Sequence, residues 1–352
     1  MTDRRAESGP PGPALRLAEI EVGGDVHRII LDGVTVPEGL SAHAARKLFM
    51  EEYDALRRLL LTPPYGNEDM CVDLLFPSMR PEAASAYIVM ECMGYPHFSG
   101  SNTMATAAAL VEYGRTPAED GWTTVTVEAP SGLVETRVRR AAGRIEEIVI
   151  RADDAYVIED GLTVNLPGVG RVDYALVWSG AGFVMVDADS LGVTVDETEA
   201  GRLKEIGLKL IEAVRPTFEH THAAIGPIES IGFVHFMGPL SQGADGRFAS
   251  RGATYGHPAT LFYCPTGTGT AARMALETTR GRMGSDAVYD ITSAHGHVFT
   301  GRTVTDETRD GLRLIGAEIA AKPYVLATTT LYLDPANPRI GALYGLGSVL
   351  AG

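Results

Sequence analysis

One short string occurs twice in this chain, each time at the mouth of an Ala-rich stretch. The first copy, Ser99-Gly100-Ser101-Asn102-Thr103, runs into Met104-Ala105-Thr106-Ala107-Ala108-Ala109-Leu110. The second, Thr266-Gly267-Thr268-Gly269-Thr270, runs into Ala271-Ala272-Arg273-Met274-Ala275-Leu276. Each stretch is apolar around most of its circumference when wound as a helix, and such a helix belongs inside a core. A helix start presents unpaired backbone N–H groups and the positive end of the helix dipole, and glycine lets a ligand approach that backbone closely. Two such mouths suggest one carboxylate-bearing ligand gripped between two similar halves. Taken singly, each copy also reads as an ordinary capped helix, because Ser, Thr and Asn are preferred N-caps. The repetition of the whole string is what points to a site.

The rest of the chain is consistent with a duplication. Arg28-Ile29-Ile30-Leu31, Ser85 to Met90, Thr123 to Val127 and Glu146 to Ile150 read as strands from their β-branched and aromatic content, with a surface helix expected over 42–61 before Pro63-Pro64. The second half repeats the order: a strand over Ala181 to Val186, an amphipathic helix from Glu197 to Val214, a strand over Ile231 to Phe236, the second cradle helix, then strands at Asp286 to Tyr289 and His297 to Thr300. The crossover is expected near Gly168 to Val172. Residues 1–13, ending in a Pro/Gly-rich run, read as a flexible tail.

A length of 352 residues accommodates two domains, each with its own core. With 45% hydrophobic and 21% charged residues the composition is that of a globular protein, and a net charge of -15 leaves no basic stripe for nucleic acid. No apolar run approaches the roughly 18 residues of a membrane span, and no leader pattern opens the chain. Cys71, Cys92 and Cys264 match no disulfide framework or zinc site, so a reducing cytoplasm is the expected location.

The residues carry a resemblance. His97-Phe98-Ser99-Gly100-Ser101-Asn102-Thr103, continuing to Ala109-Leu110-Val111-Glu112, resembles the first active-site motif of the proline racemase superfamily, typically Met-Cys-Gly-His-x-Thr leading into Ala-Leu-Val-Glu. Tyr263-Cys264-Pro265-Thr266-Gly267-Thr268-Gly269-Thr270-Ala271-Ala272-Arg273 resembles the second, typically Asp-Arg-Ser-Pro-Cys-Gly-Thr-Gly-Thr-x-Ala-Arg. Weaker likeness extends over Gly23 to Arg28, Glu52 to Met70, Gly180 to Ala188 and Leu331 to Pro335.

The resemblance implies an α+β fold of the diaminopimelate-epimerase type: two pseudo-symmetric barrels, each wrapping a central helix, with the site in the cleft between them. The expected units are 14–170 with 335–352, and 171–334. It implies small amino or imino acid substrates, no metal or organic cofactor, and backbone amides holding the substrate carboxylate. Whether the chain works alone or as a homodimer is not decided by the sequence.

Four departures bear on the reaction. Ser99 and Thr266 stand where the family's two proton-transferring cysteines would be. A thiol with a pKa of about 8.5 is readily tuned into a base, whereas an aliphatic alcohol is not. Ser101 and Phe262 replace the His and Asp that bind the substrate ammonium in the family. In the family, Thr at the second position marks trans-3-hydroxy-L-proline dehydratases and Ser at the first occurs in epimerase-like members with some dehydratase activity, so the resemblance implies elimination over inversion and a lyase resembling trans-3-hydroxy-L-proline dehydratase. The alternatives are an epimerase or racemase on another small amino acid, and a non-catalytic carboxylate binder. The candidate catalytic residues are Ser99 and Thr266. Substrate binding is expected from Gly100, Ser101, Asn102, Thr103, Phe262, Cys264, Gly267, Thr268, Gly269 and Thr270. Cys264 and His97 lie two positions before the mouth hydroxyls and reach the cleft if their segments are extended. His235 and His257 precede the second mouth. Each of these four also reads as an ordinary core, strand or turn residue.

Overall fold

The computed structural model describes residues 12–223, 226–228, 230–334, 336–341 and 349–350. Its strands fall into two sets that repeat one pairing order. The first set comprises β1 (Ala14–Val22), β2 (Asp25–Asp32), β3 (Cys71–Phe76), β4 (Ser85–Met90), β5 (Gly121–Ala129), β6 (Gly132–Ala141) and β7 (Arg144–Arg151). Next in the chain come β8 (Tyr156–Leu166), β9 (Gly170–Trp178), β10 (Gly182–Asp187), a small hairpin of β11 (His220–His222) and β12 (Gly226–Ile228), and β13 (Phe233–Met237). The remaining strands are β14 (Ser241–Gln242), β15 (Phe248–Gly256), β16 (Thr260–Leu261), β17 (Val288–Thr292), β18 (Val298–Arg309), β19 (Leu312–Ala321) and β20 (Pro323–Tyr332).

Along β1 to β7 the successive pairings are antiparallel, parallel, antiparallel, parallel, antiparallel and antiparallel. The path β9, β10, β13, β15, β17, β18, β19 follows the same sequence of directions. β20 lies antiparallel to β1, and β8 lies antiparallel to β9, completing each set with its eighth strand. The two sets join where β7 pairs with β19. The crossover expected near Gly168 to Val172 is instead the turn between β8 and β9, which belong to one set.

Each set wraps one helix. α3 (Gly100–Glu112) is buried from Gly100 to Val111, and α5 (Gly267–Thr279) is buried along most of its length. Their Ala-rich sequences let strands approach from every side, as the composition demands. Outer helices cover the opposite sheet faces. α1 (Ala42–Glu52) and α2 (Asp54–Leu60) turn Ala42, Ala45, Phe49, Leu56 and Leu60 onto β1, β3 and β4. α4 (Ala200–Val214) does the same in the second set through Leu203, Ile206, Leu210 and Ile211. Covered on both faces, β3 and β4 are buried at every position, which explains why, Asp73 and Ser85 apart, they are apolar throughout instead of alternating.

The single helix expected over 42–61 is two, because Tyr53 (φ -123°, ψ 21°) closes α1 and opens α2. The break re-aims Leu56, Leu59 and Leu60 at the core. The strand expected from Asp286 begins at Val288. Residues 1–11 of the expected tail lie outside the described residues, and by Pro13 the backbone is already tied in, its carbonyl accepting from Leu333 N–H at 2.9 Å.

Candidate active site

The two mouths meet. A Cβ built on Gly100 would stand 3.6 Å from the Cα of Gly267, and one on Gly267 would stand 3.7 Å from the Cα of Gly100. Glycine at both positions permits this approach, and a half-buried hydroxyl residue, Ser99 or Thr266, directly precedes each. Among the described residues the N–H groups of Gly100, Ser101 and Asn102, and of Gly267 and Thr268, have no protein partner. The cradles are shorter than the sequence suggested. Thr103 and Thr270 close the first helical turns with N–H bonds to the carbonyls of Ser99 and Thr266, both 3.0 Å. The Gly269 N–H is taken up by the Thr266 hydroxyl at 3.2 Å.

Ser99 is the N-cap of α3 in extended conformation, yet its hydroxyl caps no backbone N–H. It accepts instead from Asn102 Nδ2 at 2.7 Å. Asn102 is fully buried; the same Nδ2 donates to Glu91 Oε1 at 2.8 Å, and its Oδ1 lies 2.9 Å from His27 Nδ1. The Asn102 side chain is thus a clamp behind Ser99, while its backbone N–H stays with the mouth. Burial raises the Glu91 carboxyl to about 7 against the help of Asn102, and drops His27 to about 4.

Thr266 sits at φ 61°, ψ 131°. That region is sparsely populated for a β-branched residue and stores strain where the chain turns into α5. Its Oγ1 is 2.9 Å from Thr254 Oγ1, which is 2.9 Å from Nδ1 of the fully buried His235. His235 and Thr254 face each other across the β13–β15 pair, so strand register builds this chain. Burial first, then the nearby Arg273, keeps the imidazole neutral.

Cys264 is fully buried, and its Sγ accepts the Thr266 N–H at 3.2 Å. Burial above all, then the nearby Asp25 carboxyl, pushes its thiol well up. Asp25, at the start of β2, reaches across to the other set and accepts the N–H groups of Tyr263 (2.8 Å) and Cys264 (3.3 Å). The Gly23-Gly24 turn that precedes it is pressed onto Phe299 and His297, at φ 64° and 98°, where a side chain would collide. Desolvation, the dominant cause, lifts Asp25 to about 6.

Phe262 is half-buried, its ring 6.4 Å from that of Phe233. The Phe262 backbone N–H donates to the carbonyl of Thr254 at 3.0 Å. The remaining histidines do not join the site: His97 stacks on His43 at 5.5 Å, and the His257 N–H binds the carbonyl of Gly232, beside Arg215 and Glu212 of the outer-helix region. Sequence reasoning did not single out Thr254, Glu91, His27 or Asp25 for the site. Thr254 and Glu91 carry no local motif, and Asp25 and His27 carried only their place in the Gly23 to Arg28 likeness.

The proline racemase family model matches residues 18–341. A 4-hydroxyproline 2-epimerase of Streptosporangium roseum is 30% identical over 311 residues, covering 88% of this chain and 92% of that protein. A trans-L-3-hydroxyproline dehydratase of Xenopus tropicalis is 27% identical over 348 residues, with 95% and 97% covered. Among solved structures, a probable proline racemase of Agrobacterium radiobacter K84 with bound carbonate is similar at a TM-score of 0.83 and 26% identity, with 93% of this chain and 95% of that one covered. The two-barrel α+β architecture that the resemblance implied is the one observed, and the chain belongs to the proline racemase family.

Proposed function

We propose that the protein is a cofactor-independent lyase that removes the α-proton and a β-hydroxyl from a small amino or imino acid, by analogy a 3-hydroxyproline dehydratase. The observation that carries this reading is the state of the two mouth hydroxyls. Ser99 Oγ accepts from Asn102 Nδ2, which leaves its O–H to donate, and Thr266 Oγ1 accepts from Gly269 N–H, so its O–H is left to donate as well when Thr254 is the donor of the bond they share. Opposed donors suit a departing hydroxide and a developing oxyanion, whereas inversion at carbon needs two proton-transferring bases. The substrate carboxylate would lie on the N–H groups of Gly100 to Asn102 and Gly267 to Thr268. These would also stabilise the enediolate charge that grows as the α-proton leaves. The apolar side chain of Phe262 would take the ring.

An epimerase is the second reading, favoured by the likeness to the Streptosporangium enzyme. Proton NMR in deuterium oxide separates the two, using D- and L-proline, the 4-hydroxyprolines and the 3-hydroxyprolines. Conversion of trans-3-hydroxy-L-proline to a cyclic imine is the expected outcome. α-Deuteration with a stereoisomer appearing would replace the lyase by an epimerase, and an inert panel would leave a carboxylate-binding member.

A further inference from the structure

The hydrogen bond between Thr266 Oγ1 and Thr254 Oγ1 can be donated from either end, and its direction decides what Thr266 offers the mouth. Thr254 Oγ1 lies 2.9 Å from Nδ1 of His235, and a neutral imidazole donates at one ring nitrogen and accepts at the other. With the ring proton on Nε2, Nδ1 takes the Thr254 O–H, Thr254 accepts from Thr266, and Thr266 keeps only a lone pair for the mouth. With the proton on Nδ1, His235 donates to Thr254 and Thr254 donates to Thr266. The Thr266 oxygen, which also accepts the Gly269 N–H at 3.2 Å, then has its own O–H left for the mouth. The position of one proton inside the second barrel thus sets the direction of a hydroxyl at the site.

The surroundings of Nε2 choose between the two. That nitrogen is buried and has no hydrogen-bond partner. It lies against the bare backbone of Gly252, where an added Cβ would stand 2.9 Å from Nε2 and 2.6 Å from Cδ1 of Ile291. A proton on Nε2 would be a donor shut in with no acceptor, a state that buried polar groups avoid. A proton on Nδ1 leaves no buried donor of the row unused, because each meets an oxygen as far as the half-buried Thr266. Uptake of a second proton by the ring is opposed by burial and by the charge of Arg273, so the row is a fixed set of donors and not a route for the α-proton.

We infer that His235, protonated at Nδ1, is a positioning residue that orders the hydroxyls of Thr254 and Thr266 and makes Thr266 a donor into the mouth; its use in catalysis rests on the function proposed above. No proton leaves the row. Charge that grows on a substrate oxygen beside Thr266, as the hydroxide departs or the enediolate forms, is met by an O–H whose own oxygen already accepts from Thr254 and Gly269. Each bond in such a row polarises the next. The row is set before substrate arrives, because His235 and Thr254 sit opposite each other on paired strands. Ser99 takes its direction from the Asn102 amide instead, so the two mouths reach the same donor state through different partners.

Proton–nitrogen correlation NMR of the full-length protein, with isotope-labelled histidine, reads the tautomer directly, the His235 signals being identified by their loss in H235N or H235L. Nδ1 protonated and Nε2 bare is the expected result; Nε2 protonated overturns the proposal whatever the protein turns over. With trans-3-hydroxy-L-proline as probe, T254V is expected to lower kcat about 10-fold or more with KM near wild type, since the backbone cradle is untouched. T254S, which keeps the hydroxyl, should recover most of the loss. H235N places an amide N–H where Nδ1–H stood and should retain more turnover than H235L, which fills the space without a donor. Wild-type kcat in T254V or H235L, or equal losses in H235N and H235L, overturns the role of His235 while leaving the lyase intact. If no member of the panel is turned over and Nδ1 carries the proton, the lyase reading falls and the ordering of Thr266 stands.

Discussion

At the scale of single residues, the site depends on positions where no other side chain fits. A Cβ on Gly269 would lie 2.9 Å from both His235 Nδ1 and Thr254 Oγ1. G269A is therefore expected to destabilise by about 1–3 kcal/mol and to abolish turnover, measured by urea unfolding and the NMR assay on the same preparation. Thr266 poses the opposite case, because its backbone at φ 61° suits glycine better than threonine. T266G trades a lost cap for relieved strain, so stability should stay within about 1 kcal/mol of wild type while catalysis is lost. A large fall in stability would mean that Thr266 is there for the fold. These residues explain why only part of the site was legible. The glycines and hydroxyls of the mouths announce themselves by repetition, and a helix start dictates what they do. Thr254 and Asp25 enter through strand register and through contact between the two sets, neither of which leaves a local pattern.

At the scale of elements, the cradle helices were readable because a stretch without a polar face has only one place to go. The outer helices were readable from their spacing, though not the break at Tyr53, which depends on where the sheet lies. α5 also carries something its sequence did not disclose: Arg273 and Glu277, one turn apart and essentially inaccessible to solvent, pair at 2.7 Å. Arg282 binds the same carboxylate, and Arg273 Nη2 donates to the carbonyl of Gly238. Removing one partner strands a buried charge, at a cost of about 3–5 kcal/mol. E277A should therefore lower stability by that much in urea unfolding, and a loss under about 1 kcal/mol would show that water reaches the pair. Long strands such as β6 and β8 went unread, since half-exposed strands interrupted by charged residues resemble loops by composition.

At the scale of the whole molecule, the first barrel encloses several carboxyls in its interior. Asp25 is raised to about 6, Glu91 to about 7, and Asp73, with both oxygens buried and unpartnered, well above the usual carboxylate range, in each case chiefly by desolvation. The folded state thus prefers the protonated forms. Their contribution is fully present below about pH 4, where carboxyls of an unfolded chain titrate, and is lost as pH rises through the folded values of about 6 and 7. D73N should accordingly raise the thermal midpoint at pH 8 and leave it nearly unchanged at pH 4; an equal gain at both would assign the effect to packing. A second consequence of the layout concerns the order of synthesis. β1 takes β20 as its neighbour, with Ala14 opposite Tyr332 and Val22 opposite Pro323, whereas the strands of the other barrel run without interruption from β8 to β19. On the ribosome the second barrel has all its strands while the first still lacks one, so the half translated first is the half that finishes folding last. Until β20 emerges, the outer edge of β1 stays open to any passing strand.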